Sequence, residues 1–245
     1  MSEIQGEQRS AIVFGARNLG RAVIETLVAN GWAVAGVARS QSTLDGVREA
    51  GALALKADVT DPASVYAALE EVAAAHGGVD LALNAASAYG GDRSGPFGGG
   101  PIVDADFGAF DAWAAAPARA AFSFLSASGR FAVAQGGAAT LVQVTGGSAR
   151  RATAGRGLWS AGAFGVRAIT NAAALELRSH GIHVALLIVD AGIQPLTGPP
   201  RAGVSPQALA DPHRIAEAVL FLANQDARAA THELQLTPLA ESWTP

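Results

Sequence analysis

The sequence predicts an α/β fold: a single doubly wound domain, with a mostly parallel sheet of about seven strands and helices on both faces. Three observations predict it. Short apolar runs alternate with helically periodic stretches along the whole chain, at the interval expected of parallel strands joined by crossover helices. Several of those runs end in glycine or polar residues, as strands do at their turns. Half of the residues are apolar and only 16% are charged, so a large core must be buried. A chain of 245 residues could hold one domain or two small ones. No linker, repeat or low-complexity block interrupts the series, so one domain is expected over residues 10–245, after a flexible N-terminus at 1–9.

SAIVFGARN supplies the first strand, ending in Gly15, and LGRAVIETLVANG the first helix, stopped by Gly31. WAVAGVARS is the second strand, ending at Arg39, and STLDGVREAG the second helix. ALALKADVTD gives a third strand, and DPASVYAALEEVAAAHG a helix with Asp61 as its cap and Pro62 in its first turn. VDLALNAAS is the fourth strand and opens into the glycine-rich AYGGDRSGPFGGG. An alanine-rich helix around 107–134 and the strand ATLVQVTGG follow, then a helix beginning within RGLWSAGAFGVRAIT. The strand IHVALLIVDAG, a loop through 194–209, the helix PHRIAEAVLFLANQ and the short strand HELQLTP complete the order.

Composition narrows the function. The net charge of −4, without a basic run, argues against a nucleic-acid partner. With no cysteine there is no disulfide, thiolate nucleophile or thiolate metal site. No uninterrupted apolar stretch is long enough for a bilayer and MSEIQGEQRS lacks a signal segment, so the expectation is a soluble cytoplasmic protein with no membrane contact. His180 and His183 flank Gly181, which marks a helix end or turn, without a neighbouring carboxylate, and a loop or surface role outweighs a metal site. The chain has one lysine, Lys56, and two tyrosines, Tyr66 and Tyr89. Any mechanism that pairs a lysine with a tyrosine must draw on these three.

The chemistry-bearing segments fall at strand ends. GARNLG, from Gly15 to Gly20, leads from the first strand into a helix whose N-terminal N–H groups suit a pyrophosphate. As a string it is weak, because any strand-to-helix turn can carry two glycines; its position after the first strand supplies the specificity. Gly15, Arg17, Asn18, Leu19 and Gly20 are therefore candidate cofactor contacts. Arg17 and Arg39, with Ser40 beside the latter, either converge on a ribose 2′-phosphate or are solvated surface residues; the first reading favours NADP(H) over NAD(H). Asp58 and Val59 close the third strand, where Asp58 either meets an adenine amine or accepts a loop hydrogen bond. Asn84, Ala85 and Ala86 close the fourth.

These residues together resemble the short-chain dehydrogenase/reductase family along the whole chain. GARNLGRAV resembles its glycine-rich loop, one residue short and with Asn18 near the place of the middle glycine. DVTD at 58–61 resembles its adenine-side motif, NAAS at 84–87 a worn NNAG, and GIHVALLIVDAGIQP the segment that usually ends in Pro-Gly. The resemblance implies a Rossmann-type domain, cofactor contacts at Ala191, Gly192 and Ile193, and a homodimer or homotetramer built through the long helices. Close helix approach is allowed by the alanine-rich stretches at 112–134 and 161–177, which could equally pack on the sheet.

The family's chemistry uses tyrosine, lysine, serine and asparagine, and here the correspondence breaks. The serine position falls on Gly146, and the tyrosine position, thirteen residues on, falls on Trp159. The lysine position falls on Ala163, and the asparagine position on Pro117 or Ala120. TGGSARRATAGRG, GAFGVRAITNAAALEL and THELQLTPLAESW resemble a branch of the family with phenylalanine at the tyrosine position, though that branch keeps the lysine. The expectation is an atypical oxidoreductase with a degenerate tetrad, acting on an apolar carbonyl, imine or activated alkene. The alternative is an inactive cofactor-binding homologue serving as a sensor or scaffold.

Four residues stand as catalytic candidates. Tyr89, in the glycine-rich loop beside Asp92 and Arg93, is either a replacement proton donor or an aromatic packed over the pocket rim. Asp190 either orients a substrate amine or caps the next turn. Ser148, like Ser160, lies near a vacated position without an evident base, and Trp159 forms a wall. The implied pocket is apolar and suits a small apolar or aromatic molecule.

Overall fold

The computed structural model describes residues 8–87, 89–90, 95–198 and 203–241. Asp92 and Arg93 lie outside the described residues. Chain order runs β1 (Ser10–Phe14), α1 (Leu19–Ala29), β2 (Ala33–Ala38), α2 (Gln41–Glu49), β3 (Leu53–Lys56), α3 (Pro62–His76) and β4 (Leu81–Asn84). It continues through α4 (Phe107–Phe110), α5 (Ala116–Gln135), β5 (Thr140–Gly146), α6 (Gly157–Leu177), β6 (His183–Val189), β7 (Gly192–Ile193), β8 (Leu209–Ala210), α7 (Pro212–Ala223) and β9 (Glu233–Leu236). Seven strands form one sheet in the order β3-β2-β1-β4-β5-β6-β9, and every pairing in it is parallel. The doubly wound fold expected from the alternation is the fold observed. β7 and β8 form a separate parallel pair at the two ends of the 194–209 stretch expected to be a loop.

Parallel strands need both faces covered, and two apolar cores do this. On one face, Ile12 and Phe14 pack with Val65 and Leu69 of α3, Phe124 of α5 and Ala174 of α6. On the other, Val13, Leu83 and Leu187 pack with Val23 and Leu27 of α1 and Val219 and Leu222 of α7. Alternate residues of β1 therefore serve opposite cores, as the two-residue period of a strand requires. The caps follow local chemistry. The Asp61 side chain accepts from Ala63 N–H with Pro62 behind it, and Asp211 accepts from His213 N–H with Pro212 behind it.

The long alanine-rich helix is not uniform. A π-helical turn at Asp111–Ala115 joins α4 to α5, and the cause is Pro117 at the start of α5. Proline has no N–H to give the carbonyl four residues back, here Trp113, so the helix widens locally. That carbonyl faces α6: a Cβ on Gly162 would lie 2.4 Å from Trp113 O. Only glycine at 162 lets the two helices meet at this level.

The N-terminal boundary is anchored where it is described. The Arg9 guanidinium donates to the Ala223 carbonyl and the Asn224 side chain, both at 2.6 Å, and lies over the Trp32 ring. Residues 1–7 lie outside the described residues. No helix among the described residues is long and apolar enough to cross a membrane.

Candidate functional site

A cleft of about 1050 Å³ opens at the carboxyl ends of the strands, where the strand order reverses between β1 and β4. This is where an open α/β sheet binds ligands, because the connections on either side leave in opposite directions. Gly15 stands at the switch point with φ 85°. A Cβ there would lie 2.5 Å from Ala86 N. Two independent constraints thus require glycine: left-handed backbone and direct contact between the loops after β1 and β4. The Asn84 side chain, 2% exposed, supports the contact from below. Its Oδ1 accepts from Ala86 N–H at 3.1 Å and its Nδ2 donates to Gln143 Oε1 at 3.0 Å.

Arg17, Asn18, Leu19, Arg39, Ser40, Asp58, Val59, Ala85, Ala86, Ala191 and Ile193 all line this cleft, as do Gly15 and Asn84. α1 begins in it without a side-chain cap and without an acidic residue in its first turn, so its first N–H groups are not met by a side chain. Asn18 spans the cleft instead of capping. It donates to Gln194 O at 3.1 Å and accepts from Leu196 N–H at 2.9 Å, joining the glycine loop to the segment after β7. Arg39 lies 3.6 Å from Asp58 Oδ2, with its side chain 76% exposed. Burial on its own would raise the Asp58 carboxyl. The N–H and hydroxyl of Thr60, together with Arg39, outweigh it and hold the group below its ordinary value.

Two expected cofactor contacts do not line the cleft. Gly20 is a packing residue, whose Cβ would strike Gly15 O at 2.3 Å. Gly192 pairs with Leu209 across β7 and β8, and the period of a strand turns it away while Ala191 and Ile193 face in.

The other half of the cleft is built from β5, α6 and the loop before α4. Gly146, Trp159, Ala163, Pro117 and Ala120 all line it. The Trp159 indole N–H donates to the Tyr89 phenol oxygen at 2.7 Å. Trp113 packs on Tyr89 with centroids 5.1 Å apart and on Phe97 at 5.0 Å, and Phe97 packs on Trp159 at 4.9 Å. Four aromatic side chains thus form a closed circuit of contacts. Gly98, Gly99 and Gly100 all have positive φ and dock this segment on α6. Cβ atoms on Gly98 and Gly99 would lie 2.9 Å from Arg156 and 2.7 Å from Leu158. The glycine run is therefore a seat that carries Phe97 to the site.

Asp190, expected either to orient a substrate amine or to cap the next turn, is taken up by Arg151, whose guanidinium reaches its two oxygens at 2.7 and 3.2 Å. Its carboxylate also fills the space that a Cβ on Gly147 would need. Ser148 is buried with its hydroxyl lacking a hydrogen-bond partner among the described residues. Neither residue lines the cleft. Ser160 donates back to Arg156 O at 3.2 Å. Phe97 and Trp113 were missed by sequence reasoning. The signal for Phe97 was an aromatic set in GPFGGG, and Trp113 carried none, since an aromatic in an alanine-rich helix reads as core.

Comparisons with known proteins agree with the architecture. The family model for short chain dehydrogenases matches residues 9–193. Over 82 residues the chain is 42% identical to the 3-oxoacyl-[acyl-carrier-protein] reductase FabG of Salmonella typhimurium, and 40% identical to that of Escherichia coli K12. Each match covers 32% of this chain and 34% of the reductase, so the chain spans about a third of the length of the curated relatives it matches. Among solved structures, it is similar to a metagenomic short-chain oxidoreductase in complex with NADP, at 24% identity and TM-score 0.75 over 95% of this chain and 98% of that one. It is also similar to an alcohol dehydrogenase from Thermococcus sibiricus complexed with 5-hydroxy-NADP, at 21% identity and TM-score 0.79 over 98% and 100%. A levodione reductase gives TM-score 0.78 at 21% identity over 94% and 96%.

Proposed function

The chain belongs to the short-chain dehydrogenase family, and from that premise we propose that it binds NADP(H) in preference to NAD(H). We propose further that it acts as an oxidoreductase on a small apolar or aromatic carbonyl, imine or activated alkene, without the Asn-Ser-Tyr-Lys set. The observation that carries the reading is the cleft itself. Its cofactor half keeps a glycine turn, an uncapped helix start and cationic residues, while its other half is apolar.

The residues present fit such a dinucleotide. The lack of a Cβ at Gly15 lets the β1 loop sit tight against Ala86, and the first N–H groups of α1 would receive a pyrophosphate. Val59 would wall the adenine. Arg39, Arg17 and the Ser40 and Thr43 hydroxyls, the last two 2.8 Å apart, would hold a 2′-phosphate. The existing Arg39–Asp58 contact orients that guanidinium without satisfying it, since 3.6 Å is beyond a good charge-assisted hydrogen bond. Two of the similar structures carry NADP or a derivative of it, which accords with this choice. When bound, the dinucleotide supplies hydride chemistry. The chain's own part is to orient the substrate between Trp159, Phe97 and Tyr89 and to exclude water.

Titration of the purified protein with NADPH and NADH by calorimetry and nicotinamide fluorescence tests this. The expected result is micromolar NADPH binding, at least tenfold tighter than NADH. A panel of ketones, cyclic imines and activated alkenes should then oxidise bound NADPH. Failure to bind either nucleotide overturns the proposal.

A second reading is favoured by one observation. Gly146 and Ala163, which line the cleft where the family's serine and lysine are expected, bring no functional group there, which suits an inactive cofactor-binding homologue. Tight NADPH binding with no turnover over the whole panel would select it. For quaternary structure we propose a homodimer or homotetramer through α5 and α6, where Phe122, Val133, Phe164 and Leu175 are 58%, 39%, 43% and 63% exposed. A monomer by light scattering at micromolar concentration would overturn that.

A further inference from the structure

We propose that Tyr89 is the proton donor of this cleft, with the Trp159 indole N–H bound to its oxygen in the role that a lysine ammonium would otherwise fill. The inference rests on the proposed oxidoreductase function and supplies its acid. Three observations carry it.

The first is the direction of the hydrogen bond. Indole nitrogen is a donor only, so in the 2.7 Å contact Trp159 gives and the Tyr89 oxygen accepts. The phenol's own proton takes no part in that bond. An N–H aimed at a phenol oxygen binds the phenolate more strongly than the neutral form, and this lowers the pKa of the group.

The second is that the phenol is held. Its ring packs on Trp113. The adjoining Gly90 donates its N–H to Ala112 O at 3.2 Å, and a Cβ on Gly90 would lie 3.1 Å from the Ala116 side chain. Tyr89 is therefore fastened to the π-helical turn that Pro117 produces. A side chain fixed by neighbours loses little entropy on engaging a substrate.

The third is location. Tyr89 is half-buried and lines the same cleft as Gly146, Trp159 and Ala163. Because Trp159 occupies the position expected for the family's tyrosine, the indole reaches from there to a phenol on another loop. The acid has moved and its old place has become its support.

For a carbonyl substrate the proton balance is simple. The O–H bond of Tyr89 breaks as one forms on the carbonyl oxygen, and the phenolate electron pair stays on Oη against the Trp159 N–H. Water returns the proton. The two electrons and the other hydrogen of the reduction come from the dihydronicotinamide assumed in the proposed function.

The chain's two tyrosines make the test direct. Tyr66→Phe leaves Tyr89 as the only phenol, so the near-ultraviolet rise on alkaline titration reports it alone. Adding Trp159→Phe should raise the midpoint by about one unit, a tenfold change in proton affinity. An unchanged or lower midpoint in the double variant overturns the inference. Should Trp159→Phe not fold, proton NMR of the four indole N–H groups provides a second reading. One resonance should move through the Tyr89 midpoint in the parent and stay fixed in Tyr89→Phe; if none moves, the inference fails. NADPH calorimetry on the same proteins separates the two ideas. Binding with an insensitive midpoint removes only the acid, whereas a sensitive midpoint without NADPH binding keeps the acid and overturns the cofactor reading.

Discussion

The two halves of the cleft differ in what holds them together. Around β1 to β4, backbone and small residues do the work: Gly15 against Ala86, Asn84 under the loop, an uncapped helix start, and Asn18 tied to residues 194 and 196. Around β5, α6 and residues 89–97, large aromatic side chains do it, through a circuit of stacking and one indole–phenol hydrogen bond. Under the proposed function the difference separates binding from chemistry. A backbone-built site tolerates little change, because a clash with backbone, as at Gly15 and Ala86, cannot be relieved by a change of rotamer. A side-chain-built site can exchange its reacting groups while the fold persists.

The largest effect that would break this comparison is expected at Gly15. Gly15→Ala puts a Cβ 2.5 Å from Ala86 N at a φ of 85°, combining strain and overlap of several kcal/mol. NADPH affinity by calorimetry should fall by more than about 100-fold, with the aromatic half unchanged in near-ultraviolet circular dichroism. Next comes Tyr89→Phe, which should lower the rate of ketone reduction by about 100-fold, the usual scale for a general acid. NADPH affinity should stay within about twofold, and a parallel loss of both would merge the two halves into one unit.

Arg39→Ala sharpens the cofactor half. It should weaken NADPH about tenfold or more through loss of a charged phosphate contact and leave NADH nearly unaffected. Equal losses for the two nucleotides would remove the 2′-phosphate assignment.

The smallest predicted effect is on stability. Glu233 on β9 accepts from the Arg167 guanidinium, from Asn171 and from Arg150, tying α6 and the segment after β5 to the sheet edge. Arg167 chiefly, against the opposing effect of burial and with help from Asn171 and Arg150, pulls its carboxyl down to about 2. Because the folded pKa lies below the unfolded value, this stabilisation is full above the unfolded pKa and is lost as pH falls toward about 2. Solvent screening of this partly exposed cluster reduces its contribution to about 1 kcal/mol. Glu233→Gln should lower the midpoint of denaturant unfolding at neutral pH and flatten the fall in stability between about pH 5 and 2. An unchanged acid limb would show that the cluster contributes nothing.

Much of this was legible from residue order, and for definable reasons. Six of the seven strands were visible as apolar runs bounded by turn chemistry, the last, ELQL, as a short alternating stretch, and most residues lining the β1–β4 half of the cleft because they sit at strand ends, a one-dimensional marker. Trp159 and Ala163, picked out by spacing along one strand and one helix, both line the cleft. The failures are of another kind. Asp190 stayed open between a substrate amine and a turn cap because nothing in the string says that Arg151 folds back on it. Gly192 was expected as a contact from the family resemblance, and nothing in the string shows that it pairs with Leu209 in a two-residue strand. Phe97 and Trp113 were silent because their meaning lies in each other.

The sequence by itself determined the alternation of elements, the glycine turn after the first strand, and the identities at positions 146, 159 and 163, since all of these are local periodicity, local backbone need or spacing. Only the tertiary structure decided that Tyr89 meets Trp159, seventy residues away along the chain. It also decided that Pro117 opens a turn onto Gly162 and that three consecutive glycines seat an aromatic wall. Those are contacts between segments remote in sequence. Their geometry is set by how the helices and loops pack over the sheet, which no single stretch of residues encodes.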